Sequence, residues 1–280
     1  MIRAFKKQRQ LNLTPNYIIL ILLMGFALGP LLVLTFNSLK GSAESGRNPL
    51  GFPTTIIWEN YPNAWERGGF ALTTRNSSIF VVGTVVGVLL LGGMAAYSLA
   101  RLKLPGANLV MGYFLIASTL PVWLFLVPLF ILWRNLGLYN TIHGLILIYI
   151  GLNSPFAIFL LRSYMVNLPA DFEDAARVDG ANEWQVFTRI VIPLSWPGFL
   201  TVGLVVALSV WNEFLLATVF LSDQKLLPVA TSYYQFTTRF SRDWGLTSAA
   251  AIMMIAPILI IFLALQRRFI EGLTQGGVRG

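Results

Sequence analysis

The sequence predicts an all-α polytopic membrane protein with six transmembrane helices, and two observations carry that prediction. Of its 280 residues 56% are hydrophobic and 11% charged, whereas a soluble domain has about a quarter of its residues charged. The apolar residues also gather into long runs, several of them about the 20 residues a helix needs to cross a hydrocarbon core. With no cysteine in the chain there is no disulfide framework, no thiol chemistry and no thiolate metal site. The net charge of +8 does not indicate nucleic acid, because Lys and Arg lie mostly at the ends of the apolar spans.

Residues 1–16 carry Arg3, Lys6, Lys7 and Arg9 and no acid, and precede an apolar run at 17–36. That run is longer than a signal-peptide core and no small-x-small cleavage site follows it, so it reads as an uncleaved first span. Gly29-Pro30 inside it marks a kink. Residues 40–75, punctuated by Asn48-Pro49, Phe52-Pro53 and Tyr61-Pro62, read as an extramembrane loop. The second span, 76–100, is rich in Gly and Ala. Its Gly83 and Gly87 form a GxxxG whose expected use is close packing within the bundle.

A third span at 108–133 contains Pro121 and Pro128, which predicts a kinked helix. The fourth, 141–165, has His143 near its outer end, read as an interfacial or packing residue. The fifth, 197–221, contains Trp211-Asn212-Glu213-Phe214. Glu213 is the one acid inside a predicted span, so it should face the bundle interior or a water-filled cavity. Two roles stay open for Asn212 and Glu213: lining a translocation pathway with Trp211, or a helix-to-helix hydrogen bond that sets packing. A polar loop at 222–245 leads to the sixth span, 246–265, and to a tail at 266–280. The chain thus divides into an N-terminal segment (1–16), the first span with its loop (17–75), a core (76–265) and the tail.

Six spans put both termini on one side, and the basic N-terminal segment selects the cytoplasm. Twelve of the 20 Lys and Arg residues then fall on the cytoplasmic side. So does the charged, water-compatible segment 167–198 between the fourth and fifth spans. Within it Asn167 is expected to cap a helix with Pro169 in its first turn, Asp171 and Glu173 complement the helix dipole, and Gly180 ends the helix in a left-handed conformation. A second helix with Trp184, Phe187, Ile190 and Val191 at helical spacing follows, which Pro193 should terminate. Each helix is about ten residues, too short to hold alone in water, so both need a surface to lie on.

The spacing Asp174-Ala175-Ala176, three residues, Gly180, nine residues, Ile190, one residue, Ile192-Pro193 resembles the EAA motif of ABC-importer membrane permeases. Asp174 stands where that motif usually has Glu, and Ile192 where it usually has Leu. Trp211 to Phe214 and the ending Gln266 to Gly280 are similar to the carbohydrate-uptake subfamily, in particular its second, maltose-type permease. The resemblance covers about residues 76–280 and implies a type I importer permease bundle with cytoplasmic coupling helices, in a bacterial or archaeal cytoplasmic (inner) membrane.

The resemblance further implies partners: a second, different permease in a heterodimer, two ATPase subunits and an extracytoplasmic solute-binding protein, all in a lipid bilayer. It implies a subunit that is not an enzyme and binds no cofactor, ATP and Mg being held by the partner ATPase. The motif residues Asp174, Ala175, Ala176, Asp179, Gly180, Ile190 and Pro193 would make the ATPase contact. The alternative class is an ion-coupled secondary transporter acting as a single chain. It would normally need ionisable groups from several spans and repeat symmetry, and Glu213 alone qualifies. An intramembrane enzyme would need paired acids, a metal cluster or a Ser/His arrangement, which the spans lack.

Overall fold

The computed structural model describes residues 14–102 and 104–277. Arg3, Lys6, Lys7 and Arg9 of the N-terminal segment, Lys103, and Val278 to Gly280 of the tail lie outside the described residues. Fourteen α-helices run in order: α1 (Thr14–Ser38), α2 (Ser42–Arg47), α3 (Asn60–Arg67), α4 (Phe70–Arg101), α5 (Ala107–Thr119), α6 (Leu126–Asn135), α7 (Ile142–Val166), α8 (Asp171–Val178), α9 (Glu183–Val186), α10 (Ile192–Leu194), α11 (Trp196–Asn212), α12 (Leu215–Phe220), α13 (Val229–Arg239) and α14 (Trp244–Gly277). The described residues hold no strand. Four helices are long and apolar enough to cross a membrane: Pro15–Ser38, Phe70–Arg101, Ile142–Val166 and Trp244–Gln266. Two bent pairs, Ala107–Thr119 with Val122–Asn135 and Glu183–Leu194 with Trp196–Asn212, bring the count up to six where each pair is one span. Two compact units contain these elements, Met1–Ala64 with Phe240–Ile252, and Trp65–Arg239 with Met253–Gly280.

In the first unit α1 is apolar all round and its side chains are exposed, from Tyr17 at 60% to Phe26 at 83%, as suits a helix facing lipid. The stretch expected as a plain loop is folded after it. Asn60 Nδ2 donates to the carbonyls of Ser38 and Lys40, both at 2.9 Å. Lys40 is buried, its Nζ donating to the Asn48 carbonyl at 2.7 Å.

In the second unit α4, α7 and α11 pack around one apolar core that includes Phe80, Val88, Leu145, Leu161, Val202 and Val206. The glycine spacing on α4 serves this packing: a Cβ on Gly83 would come within 2.7 Å of Ile146 Cδ1, and one on Gly87 would collide with Ile150. The α4 helix begins at Phe70, six residues before the predicted span. The third span is broken rather than kinked, its halves meeting at 92°. Pro121 has no N–H to offer and drives Leu120 out of the helical region (φ −76°, ψ 124°). The fifth span stops at Asn212 instead of running on to residue 221, with Glu213 in extended backbone before the short α12.

Candidate functional site

Between α7 and α11 the chain folds into a compact, charged segment. Asn167 does not cap α8, as its position suggested. It caps the C-terminus of the preceding helix instead, with Nδ2 on the Ser163 carbonyl at 2.8 Å, and Pro169 lies outside α8, which starts at Asp171. The reason is local. After Val166 the chain needs a turn to leave α7, and Ala170 takes the capping position without a side-chain bond. Asp171, Glu173 and Asp174 fill the first turn of α8, where carboxylates complement the helix dipole.

The α8 helix ends as predicted, in a left-handed Gly180 (φ +87°). The Gly180 N–H donates to the Arg177 carbonyl at 3.0 Å and the Ala181 N–H to the Ala176 carbonyl at 2.9 Å, which together satisfy the last carbonyls of the helix. Two residues on, Asn182 and Gln185 form a reciprocal capping box, both bonds 2.9 Å. Pro193 does not terminate the second helix. A π turn at Phe187–Val191 carries the chain forward, with the Ile192 N–H on the Phe187 carbonyl, and Pro193 sits in the first turn of α10, where its missing N–H is tolerated. The stop comes at Ser195, beyond which α11 departs at 78°.

Charged side chains tie these pieces together. Arg177 Nε donates to Glu183 at 2.8 Å and Nη1 to Asp174 at 2.8 Å, and Nη2 lies 3.4 Å from Glu173. The hydrogen bond to Glu183 leads the causes that push the Arg177 pKa upward. Glu173 is only 3% exposed and faces Arg101, the last residue of α4, with Nε and Oε1 2.8 Å apart. Arg101 Nη2 also donates to the Leu168 carbonyl at 2.6 Å. The Tyr97 hydroxyl, one turn back on α4, donates to Glu183, and the Tyr97 ring lies 5.2 Å from that of Phe187.

The side turned away from the core mixes apolar and charged side chains. Val178 is 88% exposed, Trp184 58% and Phe172 55%, with Ala175, Asp179 and Gly180 exposed among them. Of the other residues expected here, Asp174 is exposed and held by Arg177, Ala176 packs against the core, Ile190 is half-buried on the π turn and Pro193 is exposed. Sequence reasoning missed Tyr97 and Arg101, which come from a span about 70 residues away. It used Glu173 only as a dipole partner, although its spacing to Arg177 is a signal for an i,i+4 pair.

Around Glu213 the three expected residues part company. Trp211 is buried, its Nε1 donating to the Met254 carbonyl of α14 at 3.0 Å. Asn212 is exposed and bonds only along its own helix, to the Leu208 carbonyl at 2.9 Å. Glu213 caps α12: Oε1 accepts from the Leu216 N–H at 2.7 Å and Oε2 from the Ala217 N–H at 3.2 Å. The Tyr149 hydroxyl of α7 donates to Oε2 at 2.6 Å.

Residues 88–275 match the family described as the binding-protein-dependent transport system inner membrane component. The chain belongs to this family. The permease is similar to the diacetylchitobiose uptake system permease protein NgcG of Streptomyces coelicolor, 35% identical over 266 residues covering 94% of this chain and 88% of that one. To the trehalose transport system permease protein SugB of Mycobacterium tuberculosis it is 36% identical over 262 residues, 92% of this chain and 95% of that one. Its fold is that of a chain from the crystal structure of a bacterial ABC transporter involved in alginate import, with a TM-score of 0.76, 24% identity, and 91% and 95% of the two chains covered. The protein is therefore an all-α, multi-pass membrane subunit of an importer that works with a binding protein. ATP hydrolysis belongs to a separate subunit.

Proposed function

We propose that this permease carries a sugar or oligosaccharide inward, and that residues 167–198 are its contact with the ATPase. The observation that carries the second part is the exposure of Phe172, Val178 and Trp184 on a segment tied together by its own ion pairs. Large apolar side chains left exposed together on one segment mark an interaction site. Asp174, Ala175, Ala176, Asp179, Gly180, Ile190 and Pro193 form or support it, Ala175 and Gly180 by leaving the surface low and Ala176 by packing beneath it. Two ATPase subunits, holding ATP and Mg, would close on this permease and on a second, different permease, with an extracytoplasmic solute-binding protein delivering the cargo. Both termini and the 167–198 segment then lie in the cytoplasm, as the basic flanks of the spans favour.

Closure of the ATPase dimer moves the seated segment as a body, and α7 and α11, joined to its two ends, tilt with it. At the other break Asn212 offers a free face to the pathway, while Trp211 and Glu213 hold the shape of the wall. The names of the relatives support the choice of cargo: diacetylchitobiose and trehalose for the two already described, and arabinooligosaccharides for a Halalkalibacterium halodurans permease 33% identical over 258 residues, 91% of this chain and 92% of that one.

The test is Val178→Glu in the complex purified with its ATPase. The variant should fold and reach the membrane but lose most of the copurifying ATPase and the ATP-driven uptake of these three sugars. Retention of full ATPase binding would refute the contact, and ion-driven uptake by the wild-type chain alone would refute the importer mechanism.

A further inference from the structure

The segment that meets the ATPase is joined to the core by the chain at only two places, the end of α7 and the start of α11. Two chain connections alone would leave such a body able to swivel about the line between them, which would dissipate the motion it is meant to pass on; Val186, Phe187 and Val191 seat its second half in the core, and α8 adds Ala176. The α8 helix, at eight residues, is too short to resist this by itself.

A polar attachment to α4 adds to this apolar seating. Arg101 ends that helix and reaches across to Glu173 on α8 (2.8 Å) and to the Leu168 carbonyl that precedes it (2.6 Å). Tyr97, one turn earlier, bonds to Glu183 on α9 and stacks its ring near Phe187. The Arg101 and Glu173 side chains are 13% and 4% exposed. A pair so withdrawn from water gains little net stability over an apolar packing of the same shape. What it supplies is a fixed relative position, since both ions are costly to leave apart. The α4 helix meanwhile packs against both α7 and α11, and at about 1.5 Å per residue its 32 residues run the full depth of a bilayer.

We infer that Arg101 and Tyr97 are positioning residues that lock the coupling segment to α4, making α4 a third driven span beside α7 and α11. This rests on the reading of 167–198 as the ATPase contact. Motion entering at α8 therefore reaches the opposite end of the bundle along a helix with no chain connection to the segment.

The test uses the complete importer, with its ATPase and binding protein, in lipid vesicles, and compares wild type with Arg101→Gln and with Arg101→Gln/Tyr97→Phe. Uptake is read with diacetylchitobiose or trehalose, whichever the wild type accumulates. The variants should assemble with the ATPase and hydrolyse ATP, but the ATP spent per sugar accumulated should rise about tenfold, the size of a typical coupling between sites. Arg101→Lys, which keeps the charge, should recover part of the loss.

Because the chain has no cysteine, spin labels on single cysteines at the exposed Leu102, which caps α4, and Ala170 report the α4-to-segment distance directly. That distribution should be narrow in the wild type and broad in the double variant. If the double variant does not assemble, Tyr97→Phe alone, which removes one hydroxyl, gives the same readouts. An unchanged ATP-to-sugar ratio with an unchanged distance distribution would overturn the α4 linkage. If Val178→Glu releases the ATPase in parallel, only the linkage has failed; if Val178→Glu keeps it, the contact itself has failed.

Discussion

Two carboxylates of the same unit, the buried Glu173 and the half-buried Glu213, are held in opposite ways. Glu173 faces two cations from different helices, Arg101 of α4 and Arg177 of α8. Glu213 is held by neutral donors, the Tyr149 hydroxyl and two backbone N–H groups of α12. The first arrangement binds separate elements into one body; the second replaces a stretch of helix with a side-chain cap and leaves a break. A charge network fixes position, whereas a cap permits the chain to turn.

The difference predicts unequal costs. Glu173→Ala should be the most damaging change, since it leaves the buried Arg101 without its partner. A destabilisation of about 3 kcal/mol or more is expected, read as a lower unfolding temperature in detergent, with loss of ATPase binding. A variant as stable as wild type would mean that the network is ornamental.

Glu213→Gln should cost less, about 1–3 kcal/mol, because one amide oxygen cannot serve both N–H groups as the two carboxylate oxygens do. It should lower stability and slow uptake while leaving ATPase copurification intact. Loss of ATPase binding in this variant would erase the contrast between the two sites.

The smallest effect is expected at Gly180. Its φ of +87° costs an ordinary side chain about 1–2 kcal/mol, while a Cβ there would meet no atom within 4 Å. Gly180→Leu should therefore strain the turn and obstruct docking together. Gly180→Asn, which tolerates this conformation, should relieve the strain and separate the two. Equal ATPase binding by Leu and Asn would show that size at this position is irrelevant.

Much of this was legible in the sequence. The six spans, the Gly180 terminus and the α4 face at Gly83 and Gly87 follow from length, hydropathy and spacing, because each is decided by neighbours within a few residues. The breaks were harder. Pro121 predicted a disturbance but not a 92° turn, and Pro193, which looked like a terminator, is carried through by a π turn that no periodicity announces. Glu213 was recognisable as an inward-facing acid. Its partners were not, since Tyr149 lies 64 residues away and capping depends on where the helix has already stopped. Tyr97 and Arg101 belong to the same class: their roles are set by tertiary proximity, which local sequence does not encode.

The fit of Ile146 and Ile150 over Gly83 and Gly87 has a mechanical consequence. Branched side chains seated over bare backbone at two successive turns act as gear teeth and oppose sliding of α4 past α7. Bending is then left to the places where the helical ladder is already open: Leu120-Pro121, Ser195 and Glu213.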